Sequence, residues 1–400
     1  MTSASLTSGS RIALDVLLMV SFSHFLNDTV QSIIPASLPL LKENYALSFT
    51  EVGLITLTVQ LTSSILQPLV GLSTDRRPRP YSLPVGMLAT LLGILALSQA
   101  GSFAGILFAV ALAGLGSAIF HPEGSKVVQA ASGGRKGFAQ SLFQVGGNAG
   151  FACGPLAAAF IVLPRGQSSI AWFALVALFA VLLLLRVSQL VVTRTRAGTM
   201  VLGHRRSGIE VDEKPLSKMK WVFALLFLLM FSKQIYISSL GNYLTFFVME
   251  KFAVSMTVAQ YTLFAFMGAS AAGTLLGGPI GDRIGRRAVI LWSILGAAPF
   301  AVALPWAPFA GVVALAVIVG FVISSAFSAI LVYALELAPS RTGMISGLFF
   351  GFSFGLGGIA SAAFGAMADW VGIERLFEFS AFLPLMGAVA LALPKERTRA

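Results

Sequence analysis

The sequence has little of what a soluble enzyme or a nucleic-acid-binding protein needs. Charged residues make up 11% of its 400 residues, against about 25% in a soluble globular domain, so they are too few to cover a water-soluble body of this size. Its one cysteine, Cys153, excludes an internal disulfide framework. Its three histidines, His24, His121 and His204, lie far apart in the chain and show no zinc spacing. We therefore expect no enzyme active site, no bound metal and no cofactor.

The chain is instead rich in long apolar runs. Hydrophobic residues make up 56% of it, and they form twelve runs near the ~20 residues that a helix needs to cross a bilayer. The sequence therefore predicts an all-α integral membrane protein with twelve transmembrane helices. The predicted spans are 12–36, 51–74, 81–100, 103–131, 137–163, 169–192, 219–248, 256–281, 287–307, 309–336, 342–368 and 372–394.

The distribution of basic residues predicts how the chain crosses the membrane. With twelve spans both termini lie on one side, and 22 of the 27 Lys and Arg residues fall on that side. Four (Lys42, Arg165, Lys251 and Arg375) fall on the other side, and Lys233 lies inside a span. An excess of positive charge marks the cytoplasmic side. We therefore expect cytoplasmic termini in a bacterial inner membrane, and we attribute the net charge of +11 to topology and not to nucleic-acid binding.

The two halves of the chain repeat each other. Residues 43–50, ENYALSFT, match residues 250–257, EKFAVSMT, at an offset of 207. Asp75 and Arg76 match Asp282 and Arg283 at the same offset. Such repeats place a solute site between two six-helix halves related by an axis along the membrane normal. We predict an N-terminal half at 1–192, a cytoplasmic linker at 193–218 and a C-terminal half at 219–400.

A glycine-rich and charged loop joins predicted spans 8 and 9. Its acid can pair with an arginine or cap a helix start, and such a latch can break and reform. The loop resembles the signature loop of the major facilitator superfamily, which implies that fold and a conformational latch. The residues concerned are Gly278, Asp282, Arg283, Gly285, Arg286 and Arg287, with a first-half copy at Gly71, Asp75 and Arg76 in which Pro78 replaces the second glycine.

Predicted span 5 carries glycines at intervals of four, which favour close helix packing. Gly150, Gly154 and Pro155 resemble the antiporter motif of the same superfamily, although alanines replace its last two glycines. The resemblance favours export of a solute over uptake. The alternative is packing alone, which leaves the direction of transport open.

Ionisable residues inside a membrane span are costly and point to function. His24, Asn27, Asp28 and Gln31 recur at helical spacing in span 1 and so share one face. We expect this face to line a central cavity, with Asp28 or His24 binding a proton. The alternative for Asp28 is a structural hydrogen bond.

Span 4 carries a second cluster of ionisable residues, His121, Glu123 and Lys126, around Pro122. Glu123 and Lys126 are three residues apart and so can pair on one helix face. One interpretation is that a proton on Glu123 or His121 releases Lys126 and opens a gate. The other is a structural ion pair near the lipid headgroups.

Spans 5 and 7 add polar residues that we predict to bind solute. Lys233 lies well inside span 7, so it needs an anion: Asp28, Glu123 or the solute itself. The alternative is that its side chain extends to the membrane surface. Lys126 is a second basic candidate. The remaining predicted solute-binding residues are Asn27, Gln31, Gln140, Gln144, Asn148, Tyr236, Asn242 and Tyr243.

Several segments of the first half resemble the fosmidomycin resistance proteins, a family of bacterial drug exporters. They lie at 23–28, 53–60, 66–68, 120–123 and 140–148. The resemblance implies a proton-driven antiporter that exports small antibiotics, including anionic phosphonates, by rocker-switch alternating access. The alternative is a proton-coupled symporter that imports a sugar or an organic acid. Proteins of this architecture are typically monomers, so protons, solute and lipid are the expected partners.

Overall fold

The computed structural model describes residues 12–76, 79–133, 136–200, 216–337 and 342–394. These residues form twelve successive helical segments, named α1 to α12 here. In order they begin with Leu14–Ala36, Phe49–Arg76, Ser82–Gln99, Phe103–Ala131, Lys136–Ala157, Phe173–Arg196, Leu216–Phe252, Met256–Ile284, Arg286–Ile294, Phe309–Ser324, Thr342–Val371 and Ile373–Ser380.

Several segments are flanked by a further helical stretch, which is α-helical, 3-10-helical or π-helical. A π-helical turn, Ala158–Val162, extends α5 just after Pro155, which lacks the N–H that a regular turn requires. The other flanking stretches are Leu38–Tyr45 after α1, Leu163–Arg165 after the π-helical turn, Gln167–Trp172 before α6, Ala298–Ala303 and Leu304–Trp306 after α9, Ala326–Leu337 after α10 and Leu383–Ala392 after α12. The order and type of the segments confirm the all-α fold with twelve spans.

The outer surface of the described helices suits a lipid environment. Ten of the twelve segments are long and apolar enough to cross a membrane. The exceptions, α1 and α8, carry more polar side chains, and in α1 these include His24 and Asp28. All five tryptophans are more than half exposed and lie towards helix ends, where membrane proteins place them at the interface with water.

Helices α1 to α6 pack against one another, and so do α7 to α12. The two groups meet along α2 with α11 and along α5 with α8. The start of α1 and the ends of α4 and α6 lie on one face, called the terminal face here, where the N–H of Ala13 donates to the carbonyl of Ala131 and Arg194 pairs with Asp15 at 2.7 Å. The opposite face holds the turns between α1 and α2 and between α7 and α8.

Glycines let α2 and α11 approach closely. A side chain at Gly53 would come within 2.5 Å of the Ser361 carbonyl oxygen, and one at Gly358 within 2.8 Å of Gln60. Both distances are shorter than real side chains allow, so the backbones touch because these residues have no Cβ.

Helix ends differ from the predicted spans by a few residues. Helix α8 continues to Ile284, and the turn to α9 is Gly285 alone, with a φ of 92° that favours glycine. Helix α6 runs to Arg196 and α7 begins at Leu216. The segment between these helices is therefore 197–215, which is shorter at both ends than the predicted linker 193–218. Residues 201–215 lie outside the described residues, and the proposed domain boundaries remain predictions.

Candidate functional site

Three titratable side chains from α1 and α4 meet near the middle of the first helix group. Nε2 of His24 lies 3.2 Å from Oδ2 of Asp28, and Nε2 of His121 lies 3.7 Å from Oδ1. The two helices run in opposite directions and side chains lean towards each helix N-terminus, so Asp28 and His121 converge. We call these three residues the carboxylate–histidine triad.

The hydrogen bonds of His24 determine where its proton lies. Its Nδ1 is 2.8 Å from the carbonyl oxygen of Phe143. A carbonyl oxygen only accepts, so this Nδ1 is the donor, and Nε2 of His24 carries a hydrogen only in an imidazolium. Nδ1 of His121 lies 3.0 Å from the carbonyl oxygen and 3.1 Å from the hydroxyl of Ser117, which can donate to it, so both tautomers of His121 fit.

The triad in this geometry therefore holds at least one proton. A bare ring nitrogen and an ionised carboxylate oxygen both present lone pairs and repel at 3.2 Å. A proton between His24 and Asp28, on either group, turns this contact into a hydrogen bond. Nε2 of His24 is buried and has no other partner among the described residues, and the amide of Asn27 donates to Oδ1 of Asp28 at 2.8 Å.

Helix α5 supplies the wall behind the triad. The ring of Phe143 stacks on His24 with centroids 3.9 Å apart. A Cβ at Gly147 would lie 2.5 Å from Nε2 of His24 and 2.8 Å from Oδ2 of Asp28. The Gly147 position thus has to be a glycine for this geometry to form.

The predicted antiporter motif lies where α5 packs against α1. A side chain at Gly150 would meet the backbone of Phe25, and one at Gly154 would lie 2.5 Å from Cβ of Ser32. The glycine stripe therefore packs α5 directly against α1. This contact accounts for the glycines by packing and leaves the direction of transport open.

Glu123 and Lys126 form a separate cluster nearer the terminal face. Lys126 pairs with Glu123 at 3.0 Å, as their spacing predicts. The other carboxylate oxygen accepts from Ser82 of α3 at 3.0 Å, and Thr74 of α2 donates to Oε1 at 2.5 Å. Glu123 thus joins three helices, whereas His121 turns to Asp28.

Other predicted residues of α1 and α5 have varied surroundings. Gln31 donates to the carbonyl oxygen of Ala113 at 2.9 Å, so it faces α4. Asn27 is fully buried and engaged by Asp28. Nδ2 of Asn148 is buried without a hydrogen-bond partner among the described residues, and Gln144 is half-buried. The side chain of Gln140 lies outside the described residues.

Asn242 and Tyr243 of α7 form hydrogen bonds with neighbouring helices, whereas Lys233 contacts an aromatic ring. Oδ1 of Asn242 accepts from Thr56 of α2 at 3.1 Å and so joins the two helix groups. Tyr243 donates to a carbonyl of α11, and Tyr236 is buried. Lys233 is buried over the ring of Phe327, with Nζ 5.2 Å from its centroid.

The helix groups are tied together at the opposite face. Asp369, near the end of α11, accepts from the backbone N–H groups of Phe49 and Thr50 at 2.7 Å and from the Thr50 hydroxyl at 2.6 Å. Gln260 of α8 donates to the carbonyl oxygen of Ala36 at 2.8 Å. We call these bonds the opposite-face clasp.

The predicted latch is only partly described. The side chains of Gly71, Asp75, Arg76, Gly278 and Asp282 lie outside the described residues. Arg283 is exposed and Arg286 is half-buried beside Gly281. The latch therefore remains a prediction.

The sequence analysis did not identify Asp369, Phe327 or Gly147, which contact the candidate site or join the helix groups. Asp369 falls just past the predicted end of span 11, although an acid beside an apolar run was a usable signal. Phe327 and Gly147 gave no comparable signal, since phenylalanine and glycine are abundant in this chain. Only the fold brings them to Lys233 and to the triad.

The triad also has ligand atoms that a metal ion accepts. One atom from each of His24, Asp28 and His121 lies within 4.8 Å of the others. Two imidazoles and a carboxylate suit several divalent transition metals. A proton between His24 and Asp28 also accounts for their short distance, and the absence of a metal stays a prediction.

Comparisons with known proteins agree on one family. The model of the Major Facilitator Superfamily matches residues 20–247 and 222–400. The chain is 49% identical over 394 residues to the fosmidomycin resistance protein of Escherichia coli strain K12, covering 98% of this chain and 96% of that protein. It is 42% identical over 382 residues to the uncharacterised MFS-type transporter YfnC of Bacillus subtilis strain 168, covering 96% and 93%.

A solved structure shares the fold at low identity. It is a bacterial homologue of the human lysosomal transporter Spinster, in an inward-facing and occupied conformation, with a TM-score of 0.74 and 15% identity. The match covers 94% of each chain.

Proposed function

The chain belongs to the major facilitator superfamily and is a membrane transporter, not an enzyme, and from this premise we propose that it exports small antibiotics in exchange for protons. The exported solutes are fosmidomycin-like phosphonates or other small drugs. Transport proceeds by rocker-switch alternating access and is driven by the proton gradient.

The carboxylate–histidine triad is the observation that carries the proposal. It places a carboxylate and two imidazoles inside the membrane span, in a geometry that holds a proton. Loss of that proton leaves Asp28 charged beside two neutral rings, which favours a different arrangement of α1 and α4. The triad can therefore link protonation to conformation, and Glu123 serves instead to join α2, α3 and α4.

The drug specificity in the proposal is supported by sequence similarity. The relative that is 49% identical over nearly its whole length is named a fosmidomycin resistance protein. The segments around the triad, 23–28 and 120–123, are among those that resemble that family.

Alternating access is supported by the clasp. The inter-group hydrogen bonds among the described residues join 36–56 with 242–260 and 369, all towards the opposite face. The structure is thus a state in which this face is closed. With cytoplasmic termini in a bacterial inner membrane, the closed face is the outer one, and the protein works as a monomer.

The test uses purified protein in liposomes that contain a pH-sensitive dye. Fosmidomycin is placed on one side, and internal pH is followed together with the amount of drug moved. Antiport predicts that drug entering the liposomes drives protons out. Empty liposomes and liposomes with Asp28→Asn protein are the controls, and neither should show drug-dependent proton movement.

Two results would change the proposal. Protons and drug moving in the same direction would make the chain a symporter and revive the import alternative. Drug movement with no proton movement in wild type would remove proton coupling while leaving drug transport intact.

A further inference from the structure

Lys233 is a buried cation that pairs with no carboxylate among the residues that the structure describes. It lies in the middle of α7, more than about 24 Å from each end at 1.5 Å per residue, and it is 4% exposed. From the middle of a span, the edge of the ~30 Å hydrocarbon core is about 15 Å away, farther than a lysine side chain extends. Among the described residues, no carboxylate forms an ion pair with it.

The surroundings of Lys233 do not replace an anion. An ammonium group removed from water without a partner is strongly disfavoured. The face of the Phe327 ring attracts a cation, but more weakly than a carboxylate or a phosphate does. The geometry orients the ammonium group without neutralising it.

The two acids that the sequence offered as partners are engaged elsewhere. Asp28 lies between His24 and His121. Glu123 pairs with Lys126 and accepts from two hydroxyl groups. Neither acid contacts Lys233 in the described part of the chain, which leaves the third partner that the sequence offered, the transported solute.

We infer that Lys233 and Phe327 form the binding site for the acidic group of an anionic solute, a phosphonate or a carboxylate. The inference rests on the proposed function in that the anion is taken to be the exported drug. Nζ of Lys233 binds the acidic oxygens, and the ring of Phe327 holds the lysine side chain in place. The proton site then lies on α1 and α4, and the anion site on α7 and α10.

The experiment measures fosmidomycin binding to purified protein by calorimetry. The variants are Lys233→Met, which removes the charge, and Lys233→Arg, which keeps it. Lys220→Gln is the matched control, because Lys220 is an exposed lysine of the same helix. Thermal unfolding with and without drug checks that each variant is folded.

The expected result is an affinity about 10- to 100-fold lower for Lys233→Met, the range for losing a charge-assisted hydrogen bond. Lys233→Arg should stay within about tenfold of wild type, and Lys220→Gln should match it. Drug should raise the unfolding temperature of wild type and not of Lys233→Met, because only a binding protein is stabilised. Equal affinity for wild type and Lys233→Met would overturn the inference.

A second measurement keeps the test decisive if Lys233→Met does not fold. Wild-type protein is titrated with methylphosphonate and with its neutral dimethyl ester as competitors of fosmidomycin. The anion should compete and the ester should not, whereas equal competition would overturn the anion site. Tight binding of the anion without proton-coupled transport would instead reject the proposed function and leave the anion site standing.

Discussion

Gly147 tests at the residue scale whether the triad geometry matters. A methyl group there would overlap Nε2 of His24 and Oδ2 of Asp28, and overpacking of this kind costs about 1–3 kcal/mol. Gly147→Ala should therefore reduce drug-driven proton movement in liposomes by at least about tenfold, the size of a typical coupling between two sites.

Gly241→Ala is the control for that substitution. A methyl group at Gly241 has no neighbour within 4 Å, and alanine favours a helix over glycine by about 1 kcal/mol. Full transport in both variants would show that close contact between His24 and Asp28 is dispensable.

At the scale of helices, the clasp should control which face is open. Asp369 accepts three hydrogen bonds at the start of α2, and charged acceptors at a helix N-terminus are favourable. Asp369→Asn keeps the size of the side chain, but it removes the negative charge and replaces one accepting oxygen by an NH₂ group. The state in which the opposite face is closed should therefore be less populated.

The measurement is labelling of a cysteine introduced at Ser361, which is fully buried beside Gly53. The background is Cys153→Ser, which removes the native thiol. Asp369→Asn should speed labelling by a membrane-impermeant maleimide severalfold, while Glu374→Gln, a change at an exposed acid past the end of α11, should not. Unchanged labelling in Asp369→Asn would show that the clasp does not hold this face closed.

Sequence reasoning found the helices and the ionisable residues more readily than their partners. The length of the apolar runs identified all twelve segments, because a helix needs about 20 apolar residues to cross a bilayer. Spacing within a helix correctly paired Glu123 with Lys126. Contacts between helices, such as His121 with Asp28 or Lys233 with Phe327, depend on crossing geometry that no spacing in the chain specifies, so they required the structure.

Helix ends were less predictable for a similar reason. Gly285 alone makes the turn between α8 and α9, whereas the charged residues around it suggested a longer loop. Charge marks where a helix leaves the membrane, but the helix itself continues into water until a residue such as glycine ends it.

At the scale of the whole molecule, transport should not depend on a metal ion. The triad has ligand atoms that suit a metal ion, but in the proposed mechanism it binds a proton. Dialysis against a chelator should therefore leave drug-driven proton movement unchanged within error. A loss of transport that zinc restores would show that the triad works as a metal site.

In the proposed antiport, drug binding displaces a proton from the triad. The most direct measurement is proton release into weakly buffered detergent solution, followed with a pH dye, when fosmidomycin is added to purified protein. Wild type and Glu123→Gln should release about one proton per drug bound, beyond the release seen with Asp28→Asn. Equal release from wild type and Asp28→Asn at saturating drug would contradict the claim and move the proton site elsewhere in the molecule.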